Sequence, residues 1–261
     1  MIEGLRTTKD LIIRVPGGLS LITETTAVED ATNDFAFPKG LRVTLNVLWP
    51  KLHLRAEGIT GDGYQIDRES IHDFAENISL AISRPNGEVH RMPGRHPFSS
   101  GYSLYFKALH WAEGWQSYRE GERSEDSELW MPEFMDDSTY EIMGNERIGE
   151  TGCWHARTLD DELWLSHGNG WFVHRRVRKH PGTDVVKSSS EILSYQHVDG
   201  LPAPLPAVVL CSEYDSDGTT NLAPTLVTRT ELVKATAGAV SPDVFELNLP
   251  ENARMQDLVS R

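Results

Sequence analysis

Histidines and carboxylates are the residues of this chain that could perform acid–base or metal chemistry. The chain has ten histidines, and two groupings place them beside other candidate ligands: His72 with Asp73 and Glu69, and His167 with His174 across one turn. A zinc site needs three or four such side chains converging on one point. These spacings match none of the usual ligand sets. A metal-dependent enzyme or another hydrolase with a His/carboxylate site is therefore the alternative hypothesis, not the leading one.

The carboxylate pairs are better explained as turns than as catalytic dyads. Asp136-Asp137 and Asp160-Asp161 are adjacent in sequence, where aspartates commonly stabilise turns. The Asp215–Gly218 stretch has part of a calcium-loop pattern but lacks the downstream glutamate. No phosphate-binding loop, dinucleotide fingerprint, zinc-protease motif or nucleophile elbow is present. We therefore predict no catalytic residue, no metal and no cofactor.

Four tryptophans are the candidate ligand-binding residues: Trp49, Trp154, Trp164 and Trp171, all within predicted strands. Ligand sites are mainly apolar with a few polar anchors. Such a row would therefore suit a lipid, an acyl chain or a peptide. Packing in the core of a sheet is the competing interpretation, and stacking on a carbohydrate is a third.

Charge argues against nucleic acid as a partner. The net charge is −14, whereas phosphate binding requires clustered Lys and Arg on a basic face. The main basic cluster is Arg175, Arg176, Arg178 and Lys179. This cluster is predicted to be a solvated strand face, with an anion or lipid-headgroup site as its alternative.

The two cysteines, Cys153 and Cys211, both fall in predicted strands. Their separation matches no zinc or redox motif. A disulfide would require their Cα atoms to lie within about 7 Å. Buried free thiols are the simpler prediction, because cysteine is often only a small core residue.

The clearest structural signal is a three-stranded antiparallel meander from Gly149 to Lys179. Strand residues alternate between two faces, which places Leu163 and Leu165 opposite Trp164. Asp160-Asp161 forms the first turn and 167–170 the second, where Asn and Gly tolerate the positive φ of tight hairpins. In the third strand, alternation puts Arg176 on the face opposite Val173.

Further strands are predicted along most of the chain. An N-terminal hairpin is expected from 10–15 and 19–25 around Pro16-Gly17-Gly18, followed by strands at 41–48 and 52–57. The other predicted strands cover 190–198, 207–214, 226–235 and 244–249. A helix is predicted over 68–77, from the spacing of Ile71, Phe74, Ala75 and Ile78, and then a hairpin in which a strand at 78–82 enters a turn at 84–88. A second helix is predicted over 104–115.

Strands do not alternate with helices, which disfavours a parallel α/β fold. The prediction is an α+β, β-rich fold in one domain over residues 1–261, with 116–139 as a possible hinge or loop. No segment reaches the roughly 20 apolar residues that span a bilayer, and the N-terminus lacks the pattern of a secretory signal. Location is therefore expected to be periplasmic or envelope-associated if an export signal was removed, and otherwise cytoplasmic.

Several short motifs in the C-terminal half resemble those of a known group of proteins. They are Tyr140–Gly144, Gly152-Cys153-Trp154, 162–165 with Gly170-Trp171, Arg175-Arg176, and the closing segment Val244–Glu251. Together they resemble the LolA/LolB-like and RseB-like lipoprotein-carrier superfamily, in its divergent planctomycete-type envelope members. The resemblance covers roughly residues 140–258.

The resemblance implies a curved antiparallel sheet, an unclosed half-barrel, with a few helices on its concave side. It also implies a non-catalytic role: holding an apolar ligand, an acyl chain or a lipid-modified partner, in lipoprotein transport or envelope signalling. No ligand residue carries over from the family, because such carriers bind through a general apolar cavity. The expected partner is thus a lipid, an acyl chain or a lipoprotein.

Overall fold

The computed structural model describes residues 14–28, 38–60, 63, 65–73, 75–76, 78–84, 87–93, 140–170, 172–214, 220, 223–249 and 253–257. The first six strands are β1 (Leu19–Ala27), β2 (Pro38–Leu48), β3 (Lys51–Thr60), β4 (Gln65–Asp73), β5 (Ile78–Ser83) and β6 (Glu88–Pro93). The next seven are β7 (Glu141–Ile148), β8 (Thr151–Arg157), β9 (Asp161–Ser166), β10 (Phe172–Lys179), β11 (Val186–Gln196), β12 (Leu205–Glu213) and β13 (Leu226–Ala237). A 3-10 helix at Pro242–Phe245 and a last strand, β14 (Arg254–Asp257), complete the described elements.

These strands form one large unclosed sheet, in the order β14-β6-β5-β4-β3-β2-β1-β13-β12-β11-β10-β9-β8-β7. Strands β1 to β6 run outward from the middle as one antiparallel meander. Strands β7 to β13 start at the far edge and return to the middle as a second. The two meanders join where β1 pairs with β13, with Thr25 opposite Thr230. Every described pairing is antiparallel except that of β14 with β6.

Strand prediction from alternation is confirmed over much of this sheet. The meander from Gly149 to Lys179 is β8, β9 and β10, with turns at the predicted places. The strands predicted at 41–48 and 52–57 are β2 and β3, and those at 190–198, 207–214 and 226–235 are β11, β12 and β13. The β-rich and antiparallel character of the fold therefore follows from local pattern, whereas the unclosed form of the sheet was implied only by the resemblance.

The helix predicted over 68–77 is wrong where the structure describes it. Residues up to Asp73 belong to strand β4, and Ile78 begins strand β5 directly opposite Asp73. Between them the Asp73 carboxylate accepts the backbone N–H groups of Ala75 and Glu76, which closes a tight turn. The apolar spacing therefore spans a hairpin, not a helix face. The helix expected over 104–115 and the hinge over 116–139 lie outside the described residues.

The predicted N-terminal hairpin is also wrong in its pairing. Both sides of β1 are occupied, by β2 and β13, and Arg14 and Val15 belong to no strand, while residues 10–13 lie outside the described residues. The turn at Gly17-Gly18 instead packs closely against neighbouring backbone. A Cβ added to Gly18, which has φ +83°, would lie 2.5 Å from the carbonyl oxygen of Val47. Only glycine tolerates that conformation and that approach.

The predicted closing strand at 244–249 is a third correction. Val244 and Phe245 belong to the 3-10 helix, and 246–249 have no regular structure. Asn248 accepts a hydrogen bond at its carbonyl oxygen from Arg84, which follows β5. The chain then pairs β14 with the edge strand β6. The C-terminal segment therefore connects the middle of the sheet to its far edge instead of adding an antiparallel strand.

One apolar cluster forms the core, on the face that we call the core face. Register places Leu21 beside Leu45, and Leu45 beside Leu54. All three side chains are buried, as are their counterparts from β10, β11 and β12. Burying this apolar surface is the main stabilising contribution to the fold.

Candidate functional site

A pocket of about 80 Å³ lies on the core face of β3 to β6. Register arranges its walls in two rows that run across the four strands. One row is Ala56, Arg68, Ser83 and Glu88. The other is Leu54, Ser70, Ala81 and His90. Directly paired residues point to the same side of a sheet, so all eight side chains share this face.

The pocket exists because three side chains on the two middle strands, β4 and β5, are small. Ser70, Ala81 and Ser83 fill positions where most core strands carry Leu or Val. Leu54 and Ala56 belong both to the pocket floor and to the apolar core. The site therefore joins an apolar base to a charged end formed by Arg68 and Glu88.

Ser70 is a buried polar residue of the pocket that its described surroundings leave unsatisfied. It is 3% exposed, lines the pocket, and its hydroxyl has no hydrogen-bond partner among the described residues. A buried hydroxyl without a partner costs about 1–3 kcal/mol, so such groups are uncommon in folded proteins. The hydroxyl can both donate and accept, which makes it a ready contact for a polar ligand atom.

Behind the pocket, a buried polar chain ties β2, β3, β4 and the C-terminal segment together. The Nδ2 atom of Asn46 lies 3.0 Å from Nδ1 of His53, and Nε2 of His53 lies 2.8 Å from Oε1 of Glu69. The other carboxylate oxygen of Glu69 accepts a hydrogen bond from Arg84. Arg84 also donates to the carbonyl oxygen of Asn248. This chain holds the strands that form the pocket in fixed register.

The pKa of Glu69 indicates how this chain responds to acid. Burial alone would raise the pKa, but the hydrogen bonds and charges of His53 and Arg84 outweigh it and hold the pKa below its usual value of 4.5. The folded state therefore keeps Glu69 ionised at a pH where the unfolded chain already binds a proton. The stability that Glu69 contributes is complete above about pH 4.5 and is lost as the pH falls through the lowered pKa.

We expect Glu69→Gln to lower the free energy of unfolding by about 2 kcal/mol at pH 7, because a charged acceptor is replaced by a neutral one. The difference from the unmodified protein should shrink as the pH falls below about 4.5. Urea unfolding at a series of pH values measures both effects. Glu141→Gln is the control, since that glutamate is 65% exposed in its ion pair with Arg157. A constant difference at every pH would contradict the assignment.

Arg176 is the member of the basic cluster that departs from the predicted solvated face, whereas Arg178 is exposed and the Arg175 side chain is 42% exposed. Arg176 is 4% exposed and donates from Nε to both carboxylate oxygens of Asp161, at 2.9 and 3.1 Å. A bulge between Val173 and Arg175 breaks the alternation and turns Arg176 onto the face of Leu163. Lys179, by contrast, lies 2.7 Å from Glu162. Arg176 is thus the centre of a buried ion pair, not part of a basic surface.

Trp164 is enclosed on β9 and is 8% exposed. Its ring stacks on His155, with the ring centroids 4.4 Å apart, and the guanidinium of Arg175 lies 5.3 Å from its centroid. Its Nε1–H donates to the carboxylate of Glu146 at 2.9 Å, and the same carboxylate contacts His155. The indole ring of Trp164 and its N–H group are therefore already in contact with neighbouring side chains and are not accessible to a ligand.

The other predicted tryptophans lie in separate places. Trp49 ends β2, is half-buried, packs on the core and has the guanidinium of Arg14 5.0 Å from its ring. Trp154 is half-buried on β8 opposite Leu165, on the face away from Trp164. Trp171 lies outside the described residues. The three described tryptophans do not form a single row.

The three histidines proposed for an enzyme site lie at different positions in the sheet. His72 is on β4, with Nδ1 2.7 Å from the Ser79 hydroxyl, and His174 is on β10, with Nδ1 3.1 Å from the Tyr195 hydroxyl. Six strands separate β4 from β10 in the sheet order. The ring of His167, in the turn after β9, lies against Gly152. Over the described residues, no three His, Cys, Asp or Glu side chains are grouped to hold a metal ion.

Both cysteines are free and buried, as the sequence predicted. Burial, with a smaller contribution from Glu146, raises the pKa of the Cys153 thiol to about 11. Since the thiolate is the reactive form, Cys153 is a poor nucleophile at neutral pH. Burial also lowers the pKa of His174, which keeps that ring neutral.

Sequence reasoning missed the pocket residues because it assigned 68–77 to a helix. Read as a strand, Ile66, Arg68, Ser70 and His72 alternate onto one face, which was the available signal. No local pattern, however, brings Glu88 and His90 of β6 to the same site. That juxtaposition requires two further strand pairings.

A scan against protein-family models found no match to this chain, and a search of curated proteins found none either. Among the residues described, no helix has the length and apolar character needed to cross a membrane.

Proposed function

We propose that this protein is a non-catalytic binding protein that holds an apolar or amphipathic ligand on the core face of its open sheet. One observation carries the proposal: Leu54 and Ala56 are shared between the pocket and the apolar core. A ligand seated in the pocket therefore meets an apolar floor and a polar end together. This combination suits an acyl chain or another lipid with a polar terminus.

The resemblance to lipoprotein carriers supports a more specific form of the same proposal. In that form the occupant is a lipid-modified partner, and the role is lipoprotein transport or signalling in the cell envelope. The unclosed sheet is compatible with either form, since a partner larger than the pocket need not be enclosed by a barrel.

The proposal predicts that protein purified without detergent carries extractable lipid, or takes up a fluorescent fatty acid in a saturable way. Ser83→Phe should abolish uptake, because the new ring would fill the pocket beside Ala81. Ser212→Phe is the matched control: it replaces another half-buried serine, on β12, outside the pocket. Mass spectrometry of extracts and fluorescence titration measure the outcome. Absence of both lipid and uptake, or equal uptake by both variants, would overturn the proposal.

A further inference from the structure

We infer that the pocket on β3 to β6 recognises a zwitterionic group, in which an anion and an ammonium lie a few ångströms apart. The inference deepens the proposed function and rests on it where the ligand is a lipid. The same chemistry occurs in a lipid headgroup of the phosphoethanolamine type and in the corresponding free molecule. The pocket would select a ligand by the arrangement of its charges. The experiment below distinguishes a lipid headgroup from the free molecule.

Opposite charges flank Ser83 in one row of the pocket. Arg68 on β4 and Glu88 on β6 are both paired with Ser83 on the strand between them. Neighbouring strands are about 4.8 Å apart, so the two backbones are separated by roughly 10 Å. The short side chain of Ser83 leaves the space between the charged groups open to a ligand.

A ligand of one charge alone would fit this row poorly. An anion drawn to Arg68 would lie near the carboxylate of Glu88, and a cation drawn to Glu88 would lie near the guanidinium of Arg68. A zwitterion complements both charges: its anion would accept a hydrogen bond from Arg68 and its ammonium would donate one to Glu88. Arg254 on β14 pairs beside Glu88, but it is exposed and does not line the pocket.

Ser70 supplies the second, independent observation. Its buried hydroxyl lacks a hydrogen-bond partner among the described residues and lies in the row adjacent to that of Arg68 and Glu88. A phosphate or carboxylate oxygen held by Arg68 would accept a hydrogen bond from it. The ligand would thereby satisfy a group that the fold leaves unsatisfied.

The pocket is too small for a whole lipid, and a complete headgroup would extend beyond it. A volume of about 80 Å³ holds a group equivalent to two or three waters at roughly 30 Å³ each. An attached chain would have to continue along the apolar side marked by Leu54 and Ala56. The zwitterionic group therefore sets specificity, and the chain adds affinity.

Isothermal titration of the full chain with four probes tests the inference. The probes are a lysophosphatidylethanolamine below its micellar concentration, a monoacylglycerol and a lysophosphatidic acid of the same chain length, and phosphoethanolamine without a chain. We expect the zwitterionic lysolipid to bind at least about tenfold more tightly than the neutral and anionic lipids. Arg68→Met and Glu88→Gln should each weaken it about tenfold, the effect of losing one charged hydrogen bond.

Two further variants separate recognition from folding. Ser70→Ala should weaken the lysolipid several-fold without lowering the thermal midpoint, because it removes an unsatisfied hydroxyl. Arg91→Met is the matched control for Arg68→Met, since Arg91 is exposed on β6 and pairs with Leu80, not with the pocket rows. It should bind like the unmodified protein. Circular dichroism confirms that each variant is folded.

Each outcome has a distinct meaning. Equal binding of all three lipids, unaffected by Arg68→Met and Glu88→Gln, would overturn the zwitterion inference and leave the proposed function standing. Binding of none of the lipids would overturn the proposed function. If phosphoethanolamine binds as tightly as the lysolipid, the zwitterion inference is supported and the ligand is the free molecule. The apolar chain is then no longer part of the proposed ligand.

Discussion

Replacing Arg176 with methionine is expected to lower the free energy of unfolding by about 4 kcal/mol, among the largest effects of any single substitution here. Arg176 and Asp161 are 4% and 8% exposed, and their closest N···O distance is 2.5 Å. Methionine matches the length of the arginine stem but leaves the Asp161 carboxylate buried without its cation. Tyr140 donates a hydrogen bond to the same carboxylate at 2.9 Å, which compensates only in part.

Urea unfolding of three variants distinguishes a buried charge from lost packing. Arg175→Met is the matched control, since its side chain is 42% exposed and 4.0 Å from Glu191; it should cost less than about 1 kcal/mol. The double variant Arg176→Met/Asp161→Leu should recover at least half of the loss, because no uncompensated charge remains. Equal losses for Arg176→Met and Arg175→Met would show that the ion pair is not buried as described.

Leu165→Ala is expected to cost about 3 kcal/mol, the second large effect. Leu165 is fully buried near the end of β9, between Trp154 of β8 and Val173 of β10. Removing three carbon atoms there forfeits transfer free energy and leaves a cavity that rigid strands on both sides cannot close. The loss should appear in the midpoint of denaturant unfolding without a change in its slope.

The same substitution six positions earlier provides the control. Leu159 lies in the turn before β9 and is 88% exposed, so Leu159→Ala should change stability by less than about 0.5 kcal/mol. Similar values for the two leucines would contradict the described burial of β9.

The β9–β10 hairpin shows which structural features the local sequence pattern predicts and which it does not. Gly and Asn in the turn at 167–170 and the alternation of Leu163, Trp164 and Leu165 predict the strands correctly. The same alternation fails one strand later, at Arg176. One extra residue at the bulge reverses the faces, and the charge that it turns inward is stabilised by Asp161, fifteen residues away.

In the region 66–78, by contrast, the local sequence pattern predicts the wrong type of element. Apolar residues at helical spacing also occur across a short hairpin, and here that spacing overlaps the alternation that indicates a strand. The difference is decided by pairing: β3 and β5 flank β4 and satisfy its backbone groups. The carboxylate of Asp73 stabilises the turn that makes this pairing possible.

The sequence by itself determined that this chain forms antiparallel strands, where most of them lie, and that its two cysteines are free and buried. These properties follow from turn chemistry and side-chain alternation, which act over a few residues. Only the tertiary structure decided the pairing of β1 with β13, the inward turn of Arg176, and the meeting of Arg68, Ser70 and Glu88 in one pocket. Each of these depends on contacts between distant residues, whose free energy is gained only when the whole sheet assembles.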